Sequence, residues 1–134
     1  MRGNSFISSI LLCIVTLLAV ACSSDENSPE HVANAAKQYY DQLLEGKHDA
    51  FVDGSLGSKG IPHEYRQQLI VNAQQFLEEM KEDRNGLISV RATGAKVNAT
   101  ADTADAFLML CFGDSTNEEV VVPMVRKEGK WLMR

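Results

Sequence analysis

The feature that most constrains this 134-residue chain is a change of hydrophobic period at Asn85-Gly86. Before that pair, apolar residues recur every three or four positions, which marks helices; after it they alternate, which marks strands. Ser28-Pro29-Glu30 opens the first helix with a capping hydroxyl, a proline suited to the first turn and an acid matched to the helix dipole. Val32, Ala35, Ala36, Tyr39, Tyr40, Leu43 and Leu44 then draw one apolar stripe, and Gly46 ends it. Residues 47–60 are irregular, with one expected helical turn at 49–52. Pro62 starts a second long helix whose expected buried stripe is Tyr65, Leu69, Ala73, Phe76, Leu77 and Met80.

Past Gly86, Ile88, Val90 and Ala92 alternate with Ser89 and Arg91. After a polar stretch, Ala104, Ala106, Leu108, Leu110 and Phe112 alternate through a longer strand. Gly113-Asp114-Ser115 turns the chain, residues 120–125 make a third strand, and Glu128-Gly129 joins it by a tight hairpin to Lys130-Trp131-Leu132-Met133. Helices first and consecutive strands last predict an α+β domain: amino-terminal helices packed on an antiparallel sheet of about four strands.

The amino terminus carries a different message. Arg2 is its only charge, and the apolar run at 10–21 is interrupted only by Thr16. Crossing ~30 Å of hydrocarbon takes about 20 apolar residues, so this run fits a signal peptide better than a membrane span. Leu18-Ala19-Val20-Ala21-Cys22 resembles the lipobox of bacterial lipoproteins, with Ala19 where leucine is usual. The resemblance implies that residues 1–21 are a signal peptide and that Cys22 is lipidated, leaving a protein anchored to the membrane by acyl chains. The alternative is a general secretory signal cut after Ala21. Residues 22–27 read as lipidated cysteine and acidic tether, and 28–134 as the folded domain. Cys22-Ser23-Ser24-Asp25-Glu26 also resembles the acidic surface-export signals of Bacteroidetes lipoproteins. The expected location is the bacterial envelope, at the outer membrane, with periplasmic and surface-exposed orientations both open.

Removing residues 1–21 takes away Arg2 and nothing acidic, so the formal charge moves from -5 to -6. Nucleic acid is therefore not an expected partner. Cys13 leaves with the signal and Cys22 is alkylated on the lipoprotein reading, so Cys111 is the one remaining thiol and no internal disulfide forms. The hydrophobic core has to hold the domain.

The two helices, Asn85-Gly86-Leu87-Ile88-Ser89-Val90, Thr103-Ala104-Asp105-Ala106 and Val122-Pro123-Met124-Val125-Arg126-Lys127-Glu128-Gly129-Lys130-Trp131 together resemble small bacterial lipoproteins of unknown function. Those proteins have a cystatin-like fold of the nuclear transport factor 2-like superfamily. The likeness covers residues 29–133 and is most specific in the last hairpin. It implies a strongly curved sheet wrapping a long helix to form a cone with a pocket, and it fixes shape better than function.

Candidate chemistry is sparse. His31, His48 and His63 lack metal-ligand spacing, and no metal or cofactor is expected. Cys111 lies mid-strand in an apolar run and reads as a buried, inert thiol. Tyr39, Tyr40, Asp41, Asp53, His63 and Tyr65 could supply an acid-base pair to a pocket, although tyrosines on a helix stripe more often pack the core. Tyr40 and Tyr65 are the candidate pocket-lining residues.

The strand through 107–112 is apolar on both faces, so Phe107, Met109 and Cys111, with Val121, Pro123 and Val125 beside them, form an outer patch. A homodimer or an envelope protein is expected there, with cover by the chain's own loops as the alternative. Asp102-Thr103-Ala104 and Asp114-Ser115-Thr116 resemble acceptors of Bacteroidetes O-glycosylation, and each is also ordinary turn chemistry. The resulting expectation is a lipid-anchored, non-catalytic binding or interaction module. A small pocket enzyme doing acid-base chemistry and a purely structural dimerisation domain are the alternatives.

Overall fold

The structure is a computed structural model that describes residues 25–134. The expected signal peptide and Cys22 lie outside the described residues. Three helices, α1 (Pro29–Leu44), α2 (His48–Asp53) and α3 (His63–Arg84), precede four strands, β1 (Leu87–Asn98), β2 (Thr103–Phe112), β3 (Asn117–Lys127) and β4 (Lys130–Met133). A single 3-10 turn at Leu56–Ser58 lies between α2 and α3. The strands form one antiparallel sheet in sequence order. The architecture is the α+β arrangement expected from the change of period.

α1 begins as its sequence dictates: the Ser28 hydroxyl accepts from the His31 amide at 3.1 Å, with Pro29 in the first turn. Its buried residues are Val32, Ala33, Ala36 and Leu43, of which Val32 and Ala36 pack into the core with the sheet. The core joins Val32 and Ala36 to Ala104, Ala106, Leu108, Leu110, Val122, Met124, Trp131 and Met133, and no polar or charged residue is buried among the described residues. No described helix is long and apolar enough to cross a membrane.

Two expectations need correction. The first strand does not stop near Ala92 but continues through the polar stretch to Asn98. Register shifts at Leu87/Ser89 and Ala92/Gly94 mark bulges, each of which reverses the side-chain parity and bends the strand. Leu87 therefore takes the buried place, while Ile88, expected inside, is 63% exposed. After the second bulge Ala95 and Val97 pack against the core.

The other correction concerns α3, where only Ala73 is buried out of the expected stripe. At 1.5 Å per residue this 22-residue helix is about 33 Å long. It meets α2 and the start of β1, and only Phe76, Leu77 and Met80 reach the edge of the core.

The last hairpin turns through Glu128 and Gly129, both with positive φ (53° and 76°), the conformation of a two-residue turn matched to strand twist. β4 is closed on its outer side, where the Met133 amide donates to the Gly54 carbonyl at 2.8 Å. Glu26 and Asn27, which composition assigns to the tether, are held against this hairpin. Arg126 donates to the Asn27 side chain at 3.0 Å and pairs with Glu26 at 3.2 Å, and the Trp131 indole N–H donates to the Glu26 carbonyl at 2.9 Å.

Candidate functional site

Helical spacing builds a groove between the three helices. Tyr40 and Leu43 project from one face of α1, three residues apart; Phe51 and Val52 come from α2. Leu69, Asn72, Ala73 and Phe76 recur at three- and four-residue spacing on α3. With Ser55 they enclose about 310 Å³. The space opens where α3 packs on α2 but not on α1 and carries only a methyl group, Ala73, at mid-groove. The Tyr40 and Phe51 rings meet edge to face, 5.3 Å apart at 83°. An ion pair from Arg66 of α3 to Asp53 of α2, at 2.7 Å, braces the end of the groove.

Tyr40 is the only titratable side chain among the lining residues, and burial pushes its hydroxyl pKa up, so it stays neutral and protonated at ordinary pH. Its hydroxyl has no protein partner among the described residues. Asn72 accepts from the Gln68 amide at 2.9 Å, which leaves its own N–H₂ free to donate. The polar inventory of the groove is thus three neutral groups: a phenol, a carboxamide and the Ser55 hydroxyl.

The structure does not bring together the other residues considered for acid-base chemistry. The Tyr39 hydroxyl donates to the Trp131 carbonyl at 2.7 Å, Asp41 pairs with Lys37 at 2.6 Å, and Asp53 pairs with Arg66. His63 is exposed at the start of α3. Tyr65 does not line the groove: α3 starts beyond the packed part of the groove, and Tyr65, one turn before Leu69, stays 55% exposed. A larger depression of about 450 Å³ between α1 and the last hairpin is lined mainly by polar residues, among them the already paired Lys37 and Asp41. No group of three or more His, Cys, Asp and Glu among the described residues could hold a metal ion.

On the outer face of β2, Phe107, Met109 and Cys111 are half-buried, and Val121, cross-strand from Phe107, is 54% exposed. The helices pack on the opposite face, so the patch is not covered by them. Cys111 belongs to this patch and not to the groove. Its thiol makes only a long contact, 3.9 Å, to the Met109 carbonyl. Of the two sugar-acceptor candidates, Thr103 is half-buried within β2 opposite Val125, whereas Ser115 is exposed at a turn with φ 71°. Hydrogen bonds from the Thr116 hydroxyl and amide fix that turn and hold the Asp114 carboxyl below the usual carboxylate range.

Phe51, Val52, Ser55 and Asn72 are groove residues that sequence reasoning missed. Leu69, Ala73 and Phe76 were visible as a helix stripe, but a stripe does not say whether it meets a neighbour or a gap.

No protein-family model matches the chain, and no curated protein matches it in sequence. Its backbone is similar to the crystal structure of the "putative NTF2-like transpeptidase" of Campylobacter jejuni, with a TM-score of 0.59 and 17% identity over 75% of this chain and 94% of that one. That likeness and the meander of strands behind α1 give the chain the nuclear transport factor 2-like fold.

Proposed function

We propose that this chain is a lipid-anchored, non-catalytic binding module of the bacterial envelope, which takes a small apolar molecule between its helices. The observation that carries the reading is the groove itself: six apolar or aromatic side chains, three neutral polar groups and no ionised one. The Leu18–Cys22 segment supports the anchor, and the fold supports the ligand-binding role. The structural neighbour is named for transpeptidation, which favours a second reading as an enzyme. Acyl transfer needs a nucleophile beside a base. Ser55 has no base among its neighbours in the groove lining, and the Cys111 thiol lies on the far face of the sheet, so binding accounts better for the arrangement.

The outer sheet face fits a second copy of the chain. Arg91 on β1 and Glu119 on β3 flank Met109 in one cross-strand row. A two-fold axis along β2 stacks Met109 on its own mate and sets Arg91 of each copy over Glu119 of the other. Sedimentation at micromolar concentration is expected to give a dimer that Met109→Glu converts to a monomer. A wild-type monomer that does not respond to the substitution overturns this assembly.

Native mass spectrometry of the protein taken from its own envelope tests the whole reading. The expected species carries acyl chains on Cys22 and a retained apolar molecule. A free thiol at Cys22 removes the anchor. A groove that is empty in the native species, and that stays empty on addition of apolar probes, removes the binding function.

A further inference from the structure

The charges around the groove say which apolar molecules it takes. None of the nine side chains that line the groove is charged, and the Arg66 guanidinium beside its end is engaged by Asp53 at 2.7 Å. Asp49, on α2, adds a further carboxylate to the same helices. An anionic headgroup within the groove would find no cation in the lining. Inside the groove, the groups left to make hydrogen bonds are neutral, and all three, the Tyr40 and Ser55 hydroxyls and the Asn72 amide, have N–H or O–H to give.

We propose that the groove between α1, α2 and α3 selects neutral apolar molecules that carry an acceptor oxygen, such as esters and ketones, over carboxylates and phosphates of the same chain length. This rests on the binding reading above and deepens it. A neutral carbonyl can accept from Tyr40 or Asn72 while its tail lies on Leu43, Phe51, Leu69 and Phe76. A carboxylate would have to give up water for an environment with no compensating cation, which is costly. Size follows from volume. The groove's 310 Å³ is about twice the ~150 Å³ of an apolar cavity that holds benzene, so the enclosed part of the ligand is on the order of a dozen heavy atoms.

The test uses methyl octanoate and octanoate as probes, titrated calorimetrically at neutral pH into the full-length Cys22→Ala chain, which carries no lipid of its own. The ester is expected to bind at least about tenfold more tightly, a difference of ~1.4 kcal/mol. Tyr40→Phe, which keeps the ring and its contact with Phe51, is expected to weaken the ester about three- to tenfold, the range of one neutral hydrogen bond. Equal affinity for the two probes overturns the selection rule while leaving the groove a binding site. An ester affinity unaffected by Tyr40→Phe and equally unaffected by Asn72→Leu overturns the donor assignment. If neither probe binds, the binding reading itself falls.

Discussion

Gly113→Ala is expected to destabilise the domain by about 2–5 kcal/mol, although it adds a single methyl group at an exposed position. The reason is the join between the end of α3 and the turn after β2. Asn85 takes a left-handed conformation, φ 60°, which turns the chain out of the helix, and its carbonyl then lies where a Cβ on residue 113 would go. The obstacle is backbone, so no rotamer change relieves it. The same join holds two backbone hydrogen bonds, from the Gly113 amide to the Gly86 carbonyl at 2.9 Å and from the Asp114 amide to the Arg84 carbonyl at 3.0 Å. The Arg84 guanidinium lies 3.8 Å from the centre of the Phe112 ring and pairs with Glu118 at 2.7 Å. Moving the turn to admit the methyl group strains or breaks both amide bonds, at about 0.5–1 kcal/mol each, in addition to the ~1–3 kcal/mol typical of overpacking. Gly57→Ala is the matching control, since a Cβ there meets nothing within 4 Å and no unusual φ is required. Urea unfolding should show a much lower midpoint for the first variant and a shift within about 0.5 kcal/mol for the second. Equal midpoints would mean that α3 is not tied to the sheet at this turn.

That join also explains where the sequence was legible and where it was not. Local signals carried their full content: Ser28-Pro29 capped α1, Glu128-Gly129 made the hairpin, and the even parity of β2 from Ala104 to Phe112 ran inward without a break. β1 was misread because a bulge leaves no mark in an alternating pattern except a wrong parity. Ile88 and Leu87 are equally apolar, and only pairing with β2 decides which of them is inside. α3 was misread for a related reason. A stripe at helical spacing reports an apolar face, and the face can be spent on a core, on a groove or on solvent. Here Phe76 and Met80 reach the core, Leu69 and Ala73 line the groove, and Tyr65 goes to water. The groove therefore depends on how far α3 stands from α1 and α2, a distance fixed by tertiary contacts such as Arg66 with Asp53 that no local pattern encodes.

Trp131→Ala is the substitution from which the largest loss is expected, about 3–5 kcal/mol, as for other buried large aromatics. Trp131 is 3% exposed in the middle of the short strand β4, and three parts of the fold converge on it. Its ring fills the core beside Met124 and Met133, its carbonyl accepts the Tyr39 hydroxyl of α1 at 2.7 Å, and its indole N–H holds the Glu26 carbonyl at 2.9 Å. The Tyr39 ring in turn lies against Gly54, whose carbonyl receives the Met133 amide at 2.8 Å, so the side chain stands in a closed circuit from α1 through β4 to the end of α2. Trp131→Phe separates the two roles. It keeps most of the apolar ring and the backbone carbonyl but removes the donor to Glu26, an exposed residue whose carbonyl water can satisfy. The phenylalanine variant should therefore lose much less stability, while cleavage by protease within residues 25–28 accelerates in both. Since Trp131 is the only tryptophan, unfolding is best followed by circular dichroism. A loss below about 1 kcal/mol in the alanine variant would show that β4 is dispensable to the core. Unchanged cleavage in the phenylalanine variant would assign the hold on the amino-terminal segment to Arg126 alone.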